Sequence, residues 1–163
     1  MKILIVYYSR SGNTKNIAQI IGSKLNADLE EVIDNKRRKG LVGFIISGNE
    51  AHLQKIIPIE KLTKDPALYD LVIIGTPIWA NNISTPIRSF IKEYQEKIKK
   101  AAFFCTSLGS DPKNVFLGME RILNQKPVAT VNFTNRDIKK QYHRQLIEEF
   151  VKNIRKFEMD LNK

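Results

Sequence analysis

The sequence has a single cysteine, two histidines and no apolar stretch that approaches the roughly 20 residues needed to cross a bilayer. Because Cys105 has no second cysteine to pair with, an internal disulfide is excluded, which agrees with a reducing compartment. His52 and His143 are isolated, so neither indicates a metal site. The polar segment Ser9–Asn16 interrupts the N-terminal apolar run too early for a signal peptide, and we expect a cytoplasmic protein.

Acidic residues are scarce relative to basic ones: 17 Asp and Glu stand against 27 Lys and Arg, a net charge of +10. Such an excess is typical of proteins that bind nucleic acid, anionic membranes or acidic proteins, and it also occurs where it serves only solubility. The chain has neither zinc-finger spacing nor an aromatic RNA-binding signature, so we expect no nucleic-acid partner. The basic run Lys36–Lys39 fits a solvated loop better than a docking site.

The apolar residues alternate between strand-like runs and helix-like spacing. Near-continuous apolar strands separated by helices are typical of a parallel sheet covered on both faces. The length of 163 residues suits one domain, and no linker divides residues 1–163. Residues 34–64 predict an irregular helical crossover, with Leu41, Phe44 and Ile45 in its helix. The predicted strands are Ile3–Tyr8, Leu29–Ile33, Leu71–Gly75, Ala101–Cys105 and Val128–Phe133, and the predicted helices cover residues 17–25, 87–94, 116–123 and 138–157.

Short polar side chains cluster around one glycine directly after the first predicted strand, in Ser9–Thr14. In a parallel α/β sheet this turn lies at the carboxyl edge, where ligands bind and where the next helix begins. The unpaired N–H groups of that helix favour an anion, and hydroxyl side chains add donors. The segment has neither the nucleotide-triphosphatase loop nor the G-x-G-x-x-G dinucleotide loop. It predicts a phosphate-binding turn; the alternative is a polar turn whose Asn13 or Thr14 caps the helix.

Two further polar turns follow later strands at the same edge. Thr76–Asn82 contains Trp79, the only tryptophan, which can stack on a planar ring while nearby backbone groups bind the polar edge of that ring. The alternative is a tryptophan that lines the core or its rim. Thr106–Asp111 is the second turn and contains a glycine. Together the three turns predict a ligand with a phosphate, a planar ring and a polar edge.

With these turns the chain resembles the flavodoxin family over essentially its whole length. The [ST]-x-[ST]-G-x-T spacing of Ser9–Thr14 and the positions of the other two turns carry the resemblance. It implies a doubly wound, five-stranded parallel α/β sheet in the order 2-1-3-4-5 with helices on both faces, noncovalent FMN and a cytoplasmic redox role. It implies no catalytic side chain. The FMN-binding residues that it implies are Ser9, Arg10, Ser11, Gly12, Asn13 and Thr14 for the phosphate, and Thr76, Pro77, Ile78, Trp79, Ala80, Asn81, Thr106, Ser107, Leu108 and Gly109 for the ring.

The chain departs from the family in three ways. It is basic, whereas flavodoxins are typically acidic. Leu108 lies where an aromatic often covers the outer face of the ring. Ala80-Asn81-Asn82 replaces a glycine that usually lets a carbonyl reorient towards the flavin, although Asn tolerates positive φ better than most residues.

Two functions agree with these features. The first is an electron carrier that shuttles electrons between redox proteins and meets a partner with an acidic docking surface. The second is an FMN-dependent NAD(P)H oxidoreductase that acts on a quinone or similar acceptor, for which the uncovered ring face would leave room. A binding module that keeps the fold without flavin is opposed by the intact phosphate turn. Cys105, which ends an apolar strand, is expected to be a buried structural thiol.

Overall fold

A parallel sheet forms the centre of the computed structural model, which describes residues 1–34, 49, 51 and 53–161. In this part of the chain the order β2-β1-β3-β5-β6 of the parallel strands confirms the predicted order 2-1-3-4-5. The parallel strands are β1 (Ile3–Tyr7), β2 (Asp28–Glu31), β3 (Leu71–Trp79), β5 (Ala101–Ser107) and β6 (Thr130–Thr134), and the short β4 (Asn82–Ile83) pairs antiparallel with the end of β3.

Helices cover both faces of this sheet, as predicted. Alternate residues of each strand point to opposite faces, so Leu4 and Val6 of β1 enter one apolar cluster while Ile3 and Ile5 enter the other. The helices α2 and α3 pack in the first cluster, and α1 and α5 pack in the second. The bounds are α1 (Asn13–Leu25), α2 (Thr85–Tyr94), α3 (Lys113–Leu123), α4 (Asn135–Lys139) and α5 (His143–Leu161), with 3₁₀ turns at Pro66–Leu68 and Gln95–Lys97.

The C-terminal segment differs from the prediction of one continuous helix from Ile138 to Phe157. It forms α4 and α5, and Gln141 between them has a φ of 61°. Lys139-Lys140-Gln141 offers no apolar side chain that could hold a further turn against the core, and Tyr142 is exposed. Apolar spacing alone did not reveal this break.

The third strand is also longer than predicted. It runs through Trp79 because Ile78 and Trp79 pair with Ile83 and Asn82 in an antiparallel hairpin. The predicted crossover helix with Leu41, Phe44 and Ile45, the basic run Lys36–Lys39 and His52 lie outside the described residues. Among the residues that are described, no helix combines the length and apolar character needed to cross a membrane.

The register of the sheet brings the strand ends together at one edge. Tyr7 of β1 pairs with Gly75 of β3, and Pro77 of β3 pairs with Thr106 of β5. Ser107 of β5 in turn pairs with Thr134 of β6. The turns that follow β1, β3, β5 and β6 therefore lie side by side at the carboxyl edge.

Candidate functional site

The turn after β1 leads directly into α1. Gly12 precedes the helix with a φ of 91°, a left-handed backbone that favours glycine, and no side chain caps the helix start. The alternative prediction that Asn13 or Thr14 caps the helix is therefore wrong. Asn13 Nδ2 donates to Asn135 Oδ1 at 3.2 Å, and the Thr14 and Thr106 hydroxyls bond at 2.8 Å. The first N–H groups of α1 thus have no side-chain acceptor among the described residues, which leaves them able to bind an anion.

The Ser9 hydroxyl in this turn is buried without a hydrogen bond to any described group. A buried polar atom left unpaired costs about 1–3 kcal/mol, so native structures rarely keep one without a reason. An oxygen of a bound phosphate would satisfy it. The turn therefore fits the phosphate that the sequence predicts there.

The predicted turns surround one cleft of about 300 Å³, close to the lower end of the sizes usual for ligand sites. The first turn contributes polar and charged side chains, and the other two contribute apolar and hydroxyl side chains. The lining residues are Arg10, Ser11, Asn13, Pro77, Ile78, Trp79, Thr106, Ser107, Leu108 and Asn135.

Other predicted residues lie around this cleft without lining it. Ser9, Gly12 and Thr14 belong to the same turn as the lining residues. Thr76 is wholly buried, and its Oγ1 contacts Ser84 Oγ at 2.9 Å and accepts from the Ser84 N–H at 3.1 Å. This pair holds the hairpin to the start of α2. The predicted cofactor-binding roles of these residues, and of the residues that line the cleft, stay predictions.

Trp79 both lines the cleft and belongs to the core. Only 6% of the residue is exposed, and its ring meets Tyr8 edge-on with centroids 5.4 Å apart. The Arg10 guanidinium lies 6.0 Å from the centre of the indole ring. Trp79 is therefore a core residue, which is the alternative given for it above. That it also stacks on a ligand ring stays a prediction.

The hairpin after Trp79 turns through two residues with positive φ. Ala80 has a φ of 46° and Asn81 a φ of 59°. A two-residue type I′ turn requires positive φ at both central positions and usually contains Asn or Gly there. Asn81 suits the left-handed region, whereas the Cβ of Ala80 is strained in it.

The turn after β5 leaves the outer side of the cleft uncovered. Leu108 at its tip is 78% exposed. Below it, Ser107 Oγ accepts from the Gly109 N–H at 3.3 Å. Cys105 is buried as predicted, its Sγ donates to Asn132 Oδ1 at 3.3 Å, and burial raises the pKa of the thiol.

Sequence reasoning missed Asn135 as a residue of the site. It begins α4 directly after β6 and lines the cleft together with Asn13. No motif marks it. The signal that could have found it is topological, because the predicted fifth strand ends at the same edge as the other site strands.

Comparisons with known proteins agree with this geometry. A family profile described as flavodoxin domain matches residues 46–133, and no curated protein gives a significant match. A crystal structure of a flavoprotein from Lactobacillus acidophilus in complex with FMN shares 26% identity and has a TM-score of 0.70, covering 85% of this chain and 97% of that one.

More distant structures share the fold. The two-electron-reduced flavodoxin of Megasphaera elsdenii has 16% identity and a TM-score of 0.54, covering 80% of this chain and 85% of its own. A flavodoxin, WrbA-like protein from Agrobacterium tumefaciens has 14% identity and a TM-score of 0.52, covering 93% and 98%. Because the family profile spans more than half of the 163 residues, the chain belongs to the flavodoxin family.

Proposed function

We propose that this protein is an electron carrier that binds FMN at the carboxyl edge of its sheet and shuttles electrons between redox proteins. FMN as the cofactor, predicted from the sequence, is confirmed by the family and by the Lactobacillus acidophilus flavoprotein, whose structure contains it. Bound FMN supplies the redox chemistry, and the protein supplies binding, orientation and electrostatics.

The observation that carries the proposed site is the buried, unpaired Ser9 hydroxyl beside the uncapped start of α1. Ser9, Ser11 and the first N–H groups of α1 would hold the phosphate. Pro77, Ile78, Trp79 and Leu108, at the other end of the cleft, would surround the ring. Among the described residues, only the Ser9–Thr14 turn would bind a phosphate, so FAD, which carries a pyrophosphate and an adenosine, should bind far less well.

The test is a pair of serine variants. Ser9→Ala removes a hydroxyl that has no partner in the apoprotein, so the free energy of unfolding of the apoprotein should stay the same or rise. FMN affinity should fall about tenfold or more, because a hydrogen bond to a charged group contributes about 1.5–3 kcal/mol. Ser23→Ala, at an exposed residue of α1, is the matched control: it should leave FMN affinity unchanged and raise the free energy of unfolding by no more than about 0.5 kcal/mol, because alanine favours the helix.

Both quantities are measurable on the same samples, by urea denaturation of the apoprotein and by calorimetric titration with FMN. Quenching of Trp79 fluorescence gives a second measure of flavin binding. Equal FMN affinity in the wild type, Ser9→Ala and Ser23→Ala would contradict the phosphate assignment. A tryptophan signal that ignores bound FMN would leave Trp79 as a core residue.

The charge of the chain supports an acidic partner. The sequence carries a net charge of +10, and Arg10 lies in the cleft itself. Opposite charge on a partner would speed encounter, and added salt would slow it. Stopped-flow reduction by an acidic redox protein should therefore become slower as ionic strength rises, and a basic redox protein should show the reverse.

One observation favours the second candidate, an FMN-dependent NAD(P)H oxidoreductase acting on a quinone or similar acceptor. The 78% exposure of Leu108 leaves the outer side of the cleft open to a planar substrate. Anaerobic addition of NADH or NADPH to the FMN-loaded protein separates the two functions. An oxidoreductase bleaches the flavin directly, whereas a carrier stays yellow until a redox partner is added.

A further inference from the structure

Asn135 occupies the same cleft as the phosphate turn although it lies outside every motif of the sequence. Its Oδ1 accepts from Asn13 Nδ2 at 3.2 Å. Asn13 is the first residue of α1, so this contact places the Asn135 amide beside the start of that helix. The two residues are 122 positions apart in the chain, and only the parallel order of β1 and β6 at one edge brings them together.

The backbone around Asn135 is held firmly. Thr134 and Asp137 form a capping box, in which the Thr134 N–H donates to Asp137 Oδ2 at 2.8 Å and the Asp137 N–H donates to Thr134 Oγ1 at 3.2 Å. These two bonds join the residue before Asn135 to the residue two positions after it, within one turn. The backbone that carries the Asn135 side chain is therefore held before any ligand binds, and the contact with Asn13 orients its amide.

The chemistry of this amide is that of a donor. A carboxamide has one acceptor oxygen and two N–H donors. The oxygen of Asn135 is used by Asn13, while its Nδ2 makes no hydrogen bond to another described residue. The two N–H donors of this amide are thus available in a cleft that Ser11 also lines, near the start of α1, where a phosphate oxygen would accept them.

We propose that Asn135 binds the phosphate of FMN through Nδ2 and adds a donor from the end of β6 to the Ser9–Thr14 turn. The inference rests on the proposed function, because it adds a residue to the same site. The phosphate would then accept hydrogen bonds from residues after β1 and from a residue after β6. Asn135 would favour the phosphorylated flavin. Riboflavin, which lacks the phosphate, would gain nothing from it.

Asn135→Asp tests this with little change of shape. Aspartate keeps an oxygen that can accept from Asn13 Nδ2, but it replaces the donor by a negative charge. We expect FMN to bind about tenfold to a hundredfold more weakly, while the affinity for riboflavin changes less than about twofold. Asn135→Ala removes the donor without adding charge and should weaken FMN binding about tenfold.

Asn153→Asp is the control for net charge, because it makes the same substitution on α5 in a separate surface cleft lined by Lys100 and Lys126. Calorimetric titrations with FMN and riboflavin on the wild type and the three variants give the comparison.

FMN affinity in both Asn135 variants equal to that of Asn153→Asp would overturn the inference and leave the proposed function standing. Equal weakening of FMN and riboflavin would also overturn it, because the contact would then lie at the sugar or ring. A wild type that binds no FMN would overturn the proposed function itself, and this inference with it.

Discussion

The hydroxyls of Thr14 and Thr106 lie 2.8 Å apart although 92 residues separate them in the chain. Both side chains are buried. Thr14 belongs to the first turn of α1, and Thr106 lies near the end of β5, two residues before Leu108. Their bond links the turn that would bind phosphate to the turn that would border the flavin ring.

This link predicts a stability effect that depends on the hydroxyl rather than on shape. Thr106→Val keeps the volume but leaves the Thr14 hydroxyl buried without this partner, so the free energy of unfolding of the apoprotein should fall by about 1–3 kcal/mol. Thr106→Ser keeps the hydroxyl and should lose less. Urea denaturation measures both. A Thr106→Val protein as stable as the wild type would show that water or another group replaces the bond.

The order of the sheet was predicted through the resemblance to the flavodoxin family, while the strands β1, β3 and β5 were predicted from their nearly unbroken apolar runs. Leu71–Gly75, for example, is buried on both sides, so its pattern needs no alternation. The positions of the three site turns were predicted from the ends of the predicted strands. Polar residues that follow such strands mark where each strand ends, and in a parallel α/β sheet these ends lie at the ligand edge.

The parts that were missed depend on contacts between distant residues. Neither Asn13 nor Thr14 caps α1, because their side chains bond to Asn135 and Thr106 instead. Local patterns favour a cap and do not show such partners. The hairpin of β4 and the break at Gln141 were missed for a related reason, since two-residue strands and single left-handed residues leave no periodic signal.

The strained turn at Ala80 gives a second prediction. Ala80→Gly removes a Cβ from a residue with a φ of 46°. The relief of strain outweighs the added freedom of the unfolded chain, so the protein should become more stable by about 0.5–1 kcal/mol. Ala67→Gly is the matched control, because Ala67 has no positive φ and should be destabilised by the same change. Thermal unfolding of the two variants should shift in opposite directions, and a loss of stability in Ala80→Gly would contradict the strain.

Alkaline pH provides a third prediction through Tyr7. Burial, together with the Glu31 carboxylate that accepts from its hydroxyl at 3.3 Å, raises the pKa of Tyr7 from 10.0 to about 12. The protonated phenol is thus favoured by folding. Its contribution to stability is complete below pH 10 and is lost as pH rises towards about 12.

The measurement is the free energy of unfolding between these two pH values for the wild type and Tyr7→Phe. The wild type should lose stability more steeply, because phenylalanine has no proton to release. Tyr142→Phe, at an exposed residue, should follow the wild type. If the free energy of unfolding of Tyr7→Phe falls with pH as steeply as that of the wild type, folding does not raise the pKa of the Tyr7 phenol.

The fourth prediction concerns the charge, in which this chain departs from the acidic flavodoxins. Adding a second electron places negative charge on the flavin ring, which acidic surroundings disfavour and basic surroundings favour. One unit charge about 10 Å away contributes roughly 0.4 kcal/mol in water before screening, or on the order of 20 mV for one electron. A net charge of +10, with Arg10 in the cleft, should therefore make the second one-electron potential less negative by tens of millivolts, and the potential should fall as salt is raised.

Potentiometric titration at low and high ionic strength measures this potential. Arg10→Gln should lower the potential more than Lys152→Gln, which removes an exposed charge on α5. A low potential that ignores both salt and Arg10 would mean that hydrogen bonds from the turns around the cleft outweigh the charge of the chain.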